Sequence, residues 1–181
     1  MTDEKTTLKD AIDARGPLAV WALMTDDEKK LASAALWSNA DRESRMAIEM
    51  ALAKEMKFRP QSVRRLSAEQ AAPRLARLAE ELPEAAFFQF LFHLHMVERR
   101  ELMVEYLDAV GLPHKEGVLD LPDDAEAPTA EASAGPAREL VAKHGREALV
   151  YLGTLVVADA AYWEGMLDVL AEWDESGEAI S

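Results

Sequence analysis

The sequence predicts an all-α fold, a multi-helix array of about eight helices, and three observations predict it. Alanine, leucine, glutamate and arginine dominate, while Gly and Pro are few and β-branched residues are thin, a composition that favours helix. Helix start and stop signals are dense, and no run alternates cleanly between apolar and polar, so no strand is expected. The third observation is an internal echo at a constant offset of about 63 residues. Pro73 matches Pro136, Glu84-Ala85 matches Glu147-Ala148, Glu101 and Met103 match Glu164 and Met166, and Leu107 matches Leu170. The second half therefore reads as a diverged duplication of a helix-break-long-helix unit, and stacked helical hairpins of this kind serve binding more often than chemistry.

The elements follow in order from their caps. Thr6 or Thr7 caps a short helix that ends near Gly16, and Pro17 opens the next. Thr25-Asp26-Asp27-Glu28 is a capping box and starts a helix to about Ser38, burying Leu31, Ala34, Ala35 and Trp37. Asn39 or Asp41 then caps a helix to about Lys57, with Met46, Met50 and Leu52 inward. Pro60 stops it, because the residue before a proline is pushed out of the helical region. A short helix over Gln61–Leu66 follows, and Ser67 with Gln70 forms a second capping box. Pro73 sits inside that segment, so the helix either kinks there or begins there, and the echo with Pro136 favours the later start.

The remainder is one long helix, a linker and a second helical unit. The block 83–115 holds a helix from Glu84 to Val110, stopped by Gly111 and Pro113. Residues 116–135 are acidic, small and punctuated by proline, the composition of a mobile linker in which only Val118–Leu121 is fit to dock as an extended hook. The block 136–175 is then a helix to His144, a Gly145 stop, and a long helix to about Trp173, with a frayed tail after Asp174. Together with the N-terminal helices over 1–82, this makes a single all-helical domain of 181 residues.

Charge bounds the partners. The net charge is −14, and its placement is uneven. Lys54–Arg77 carries seven basic residues against Glu55 and Glu69, whereas Glu98 to the end carries six basic against nineteen acidic residues. Such an acidic surface disfavours nucleic acid and suits basic partners, or serves solubility alone. No segment supplies the 18 or so apolar residues of a membrane span, and the N-terminus lacks a signal peptide's pattern, so no membrane partner and a cytoplasmic location are expected. With no cysteine, thiolate metal sites and cysteine nucleophiles are excluded.

Catalytic signatures are missing: the sequence has no Gly-rich phosphate loop, no G-x-S-x-G elbow and no H-E-x-x-H. His93 and His95 lie about 200° apart on a helix and cannot clasp one ion; His95 with Glu98 is a weak pair, and neither metal nor cofactor is expected. Helical wheels of the two long segments give a better candidate. Glu98, Glu101, Glu105 and Asp108 mark the wet face of the first, which places Phe88, Phe92, Met96, Arg99, Met103, Tyr106 and Val110 inward with His95 at the edge. In the second, Glu164, Asp168 and Glu172 are wet, and Asp159 stands inward beside Tyr162. Two opposite charges at equivalent heights predict an Arg99–Asp159 ion pair, with His95 and Tyr162 as neighbours. The pair either fixes helix register or lines a polar pocket for a small anionic ligand.

Two further segments stand out. Lys57–Arg65 is basic and either contacts phosphates, through Arg59, Arg64 and Arg65, or pairs with the protein's own acidic face. The helix start Ala85–Phe92 is apolar all round, and Phe87 and Phe90, away from the inferred core stripe, are candidates for a subunit or partner interface. The leading expectation is a non-enzymatic protein–protein interaction or scaffolding module that self-associates or binds another protein. A small-ligand binder or unusual enzyme using His95, Arg99, Asp159 and Tyr162 is the alternative.

Overall fold

A computed structural model describes residues 6–122 and 124–180. Among them the chain is mostly helical. In order, the helices are α1 (Leu8–Arg15), α2 (Pro17–Leu23), α3 (Asp26–Asn39), α4 (Arg42–Met56), α5 (Pro60–Val63) and α6 (Ala68–Leu78). After a short 3-10 turn over Ala79–Glu81 come α7 (Glu84–Glu98) and α8 (Arg100–Val110). Strands β1 (His114–Lys115) and β2 (Val118–Leu119) make a hairpin, and α9 (Ala130–His144), α10 (Arg146–Ala158) and α11 (Glu164–Leu170) complete the chain. That is eleven α-helices among the described residues, more than the eight or so expected, largely because both long segments are broken. Arg99 leaves the helical region at φ −130°, ψ 29°, and residues 159–163 separate α10 from α11.

The chain forms two compact units. The central unit is Thr25–Glu98, and the terminal unit joins the chain up to Met24 with everything from Arg99 on. In the central unit α3 packs on both α6 and α7, and α4 packs on α5 and α6. Its caps are those the sequence writes. Thr25 and Glu28 bond reciprocally, Glu28 N–H to Thr25 Oγ1 at 3.2 Å and Thr25 N–H to Glu28 Oε2 at 2.7 Å. Asp41 Oδ1 accepts from the N–H groups of Glu43 and Ser44, and Ser67 with Gln70 repeats the box. Because that box starts α6 at Ala68, Pro73 is its sixth residue rather than its first. Of the side chains expected inward, Leu52 is buried, but Leu31, Met46 and Met50 are exposed. The inward face of α4 is instead Ile48, Glu49, Leu52 and Ala53.

In the terminal unit α10 packs on α2, α9 and α11, while α9 also meets α8. Gly165 on α11 lies tight against α9: a Cβ there would clash with Ser133 Oγ and fall 2.6 Å from both Cα and O of Ala130. Helix α9 starts at Ala130, six residues ahead of Pro136, because Thr129 Oγ1 caps it by accepting from Ala132 N–H at 3.2 Å. The hairpin arises from Glu116 and Gly117, both at positive φ (52° and 87°), the two-residue turn whose twist matches that of a β-ribbon. The tail expected to fray is tied down. Asp174 Oδ1 accepts from Ser176 N–H, Ser176 Oγ and Glu178 N–H, and the backbone bonds back through Leu8 N–H to Trp173 O at 2.7 Å and Glu175 N–H to Thr6 O at 3.2 Å.

Candidate functional site

Of the four residues read as one polar cluster, three belong to one unit, and within it Arg99 and Asp159 take different partners. His95 belongs to the central unit, near the C-terminal end of α7, and is buried. Glu98, its weak metal partner in the sequence, is exposed. Arg99, Asp159 and Tyr162 belong to the terminal unit. There Arg99 stands at the N-cap of α8, buried, with Nη2 3.7 Å from Glu147 Oε1. Asp159 is exposed, and its Oδ1 accepts from Tyr162 N–H at 3.0 Å. Glu147 opens α10 and Asp159 closes it, about 18 Å apart along the axis, so an Arg99 held at Glu147 is out of reach of Asp159. The expected Arg99–Asp159 pair is therefore replaced by Arg99–Glu147. Tyr162 is half-buried beside Trp163, with ring centroids 4.9 Å apart. Burial, with the Asp159 charge second, pushes its phenol pKa up.

Phe87 and Phe90, placed off the core stripe by the wheel, are 1% and 0% exposed, whereas Phe92 is 41% exposed. The phase marked by the acidic residues of 98–108 does not extend back through Arg99, where the helix is not continuous. Read separately, α7 buries Phe87, Phe90, Leu91, Leu94 and His95, a regular helical stripe.

The basic stretch spends only part of its charge within the protein. Glu49, 5% exposed on the inner side of α4, accepts from Arg45 Nε at 3.1 Å and from Arg64 Nε at 2.6 Å. The Arg45 guanidinium also lies 3.7 Å from the centroid of Trp37, whose indole N–H donates to Leu66 O. This chain of contacts ties α3, α4 and the segment after α5 together. Lys54, Lys57, Arg59 and Arg65 form no ion pair among the described residues.

What the sequence reading missed lies on the outer side of α4. Met46 and Met50 are 53% and 60% exposed, and Phe58, just beyond the helix, is 54% exposed. Beside this line run two half-open grooves within the central unit. One, of 430 Å³, is lined by Leu36, Ala47, Ile48, Leu82, Ala86 and neighbours, with Glu43 and Ser44 at its lip. The other, of 270 Å³, lies between Ala51, Lys54 and Glu55 of α4 and Leu78, Glu81 and Leu82. A signal was available: Met46 and Met50 lie about 120° or more from Ile48 and Leu52 on one wheel, so both sets cannot face the same core.

Among the described residues no helix is long and apolar enough to cross a membrane. No family model, no curated protein and no solved structure matches this chain.

Proposed function

We propose that this chain is a helical protein–protein interaction module and that the outer face of α4 in the central unit is its working surface. The observation that carries the reading is the exposed line Met46, Ala47, Met50 and Phe58, lying alongside a largely apolar groove. Apolar side chains gathered on one face of a helix gain when another surface excludes their water. Methionine is also the residue that adapts to different partner shapes, being unbranched and polarizable. The same helix is anchored from its inner side by Glu49 between Arg45 and Arg64, which holds the face rigid for docking.

The scaffold reading extends this. The breaks at Arg99 and at residues 159–163 fall close to the same place in the echo, which supports an origin of the two helix pairs by duplication. Divergence then fitted them to different neighbours, α7 to α3 and α10 to α2 and α9.

Photo-crosslinking tests the function. A benzophenone side chain placed at Met50 should give discrete protein adducts in cells, while the same group at exposed Glu139 in the terminal unit should not. Absence of any adduct from positions 46, 50 and 58 would remove this surface as the working one.

A further inference from the structure

The outer face of α4 is self-complementary. Glu43, Met46, Met50, Lys54 and Lys57 follow one another at spacings of three, four, four and three, and all five are exposed. These spacings keep them on one side of the helix, opposite Ile48 and Leu52. The order of their chemistry is acid, apolar, apolar, base, base, and the spacing is symmetric about Met50. Laid against itself in the antiparallel sense, the face sets Met50 on Met50, Met46 under the aliphatic stem of Lys54, and Glu43 against Lys57, each of the last two contacts made twice. Laid parallel, it would set Glu43 on Glu43 and lysines on lysines. Charge thus selects one orientation.

We infer that two copies of this chain pair antiparallel along α4, with the two-fold axis at Met50. The inference rests on the reading of α4 as the interaction surface and names its occupant. Glu43, Lys54 and Lys57 form no ion pair among the described residues, so their charges are available to a second copy. Lys57 ends the helix in the left-handed region at φ 55°, and the chain turns there to present Phe58. In the antiparallel register the Phe58 of one copy arrives beside Glu43 and Ser44 of the other, the lip of the 430 Å³ groove. That groove offers an apolar side chain Ala47, Ile48 and Leu82. The contact spans about 21 Å of helix, at the short end for stable interfaces, so the dimer is of roughly micromolar strength and sensitive to salt.

The chain has no cysteine, which makes disulfide trapping unambiguous. Under mild oxidation of the full-length protein, Met50→Cys should give a covalent dimer. Glu43→Cys and Lys57→Cys should each stay uncrosslinked alone, their copies lying about 21 Å apart, yet crosslink when mixed. By sedimentation at about 100 µM, Glu43→Lys and Lys57→Glu should each weaken the dimer roughly three- to tenfold, and the double exchange should restore it. A monomer at that concentration in low salt, or homodimers trapped through Glu43→Cys but not Met50→Cys, would overturn the inference. If the Met50 photo-adduct joins a different protein while the purified chain stays monomeric, this pairing falls and the interaction-module reading stands.

Discussion

Gly165 shows how much one missing side chain determines. It lies in α11 tight against α9, and a Cβ there would strike the Ser133 hydroxyl and, beside it, the backbone of Ala130, which has no rotamer to yield. Replacing Gly165 with alanine should therefore force the two helices apart and lower stability by about 2–3 kcal/mol, despite alanine's better helix propensity. Thermal denaturation checks this; an unchanged or raised Tm would show that the contact relaxes freely. Gly153 is a milder case, since its nearest neighbour is the Val20 side chain at 2.9 Å. Neither close approach was readable beforehand, because a glycine inside a helix says that something is near without saying what. The same holds for Arg99. A charge in an apolar stripe announces a partner, but choosing among carboxylates needs the path of the chain, and the break at Arg99 turned it toward Glu147 instead of Asp159.

At the scale of elements, what is written locally was readable and what depends on phase was not. The capping boxes at Thr25 and Ser67, the Asp41 cap and the Gly16–Pro17 junction are satisfied within four residues, so sequence alone specifies them. The hairpin escaped notice because Glu-Gly is an uncommon pair for its turn, which demands positive φ at both residues. The start of α9 escaped because its first turn is built of small residues and carries Pro136 downstream, a pattern shared with linkers. One tie between elements is open to a pH test. Glu105 on α8 accepts from Lys143 Nζ at 2.7 Å and His144 Nε2 at 2.9 Å on α9. The hydrogen bond from Lys143, then that from His144, hold its carboxyl below the usual glutamate range. A folded pKa lower than the unfolded one stabilises the protein above the unfolded value, and that contribution is lost as pH falls through the folded one. Wild type should thus melt higher than Glu105→Gln at neutral pH, and the gap should close in acid. A gap that persists unchanged to about pH 2 would show the effect to be steric.

At the scale of the molecule, the two units differ in charge and in the kind of aromatic residue they carry. The central unit holds twelve acidic and eleven basic residues, a net of −1, leaving −13 for the terminal unit. The sequence showed this polarity along the chain, but only the fold assigns it to compact bodies, because the terminal unit is assembled from both ends. All three tyrosines lie there too, Tyr106, Tyr151 and Tyr162, linked through rings at 5.9 Å (Tyr106–Tyr151), 6.0 Å (Tyr106–Trp163) and 4.9 Å (Tyr162–Trp163). Burial pushes all three phenols upward, helped at Tyr151 by Tyr106 and at Tyr162 by Asp159. For such groups stability is full below the unfolded pKa of about 10 and falls as pH rises beyond it, since the unfolded chain ionises first. Two deeply buried phenols withdraw together about 2.7 kcal/mol per pH unit there, against a total stability of about 5–15 kcal/mol. Tyrosinate absorbance near 295 nm should therefore stay low past pH 10 and then rise cooperatively, together with loss of helical circular dichroism and a change in tryptophan emission. If absorbance for two or more tyrosines rises near pH 10 with the helix signal intact, the rings are wetter than their packing implies and the terminal unit is looser than its core suggests.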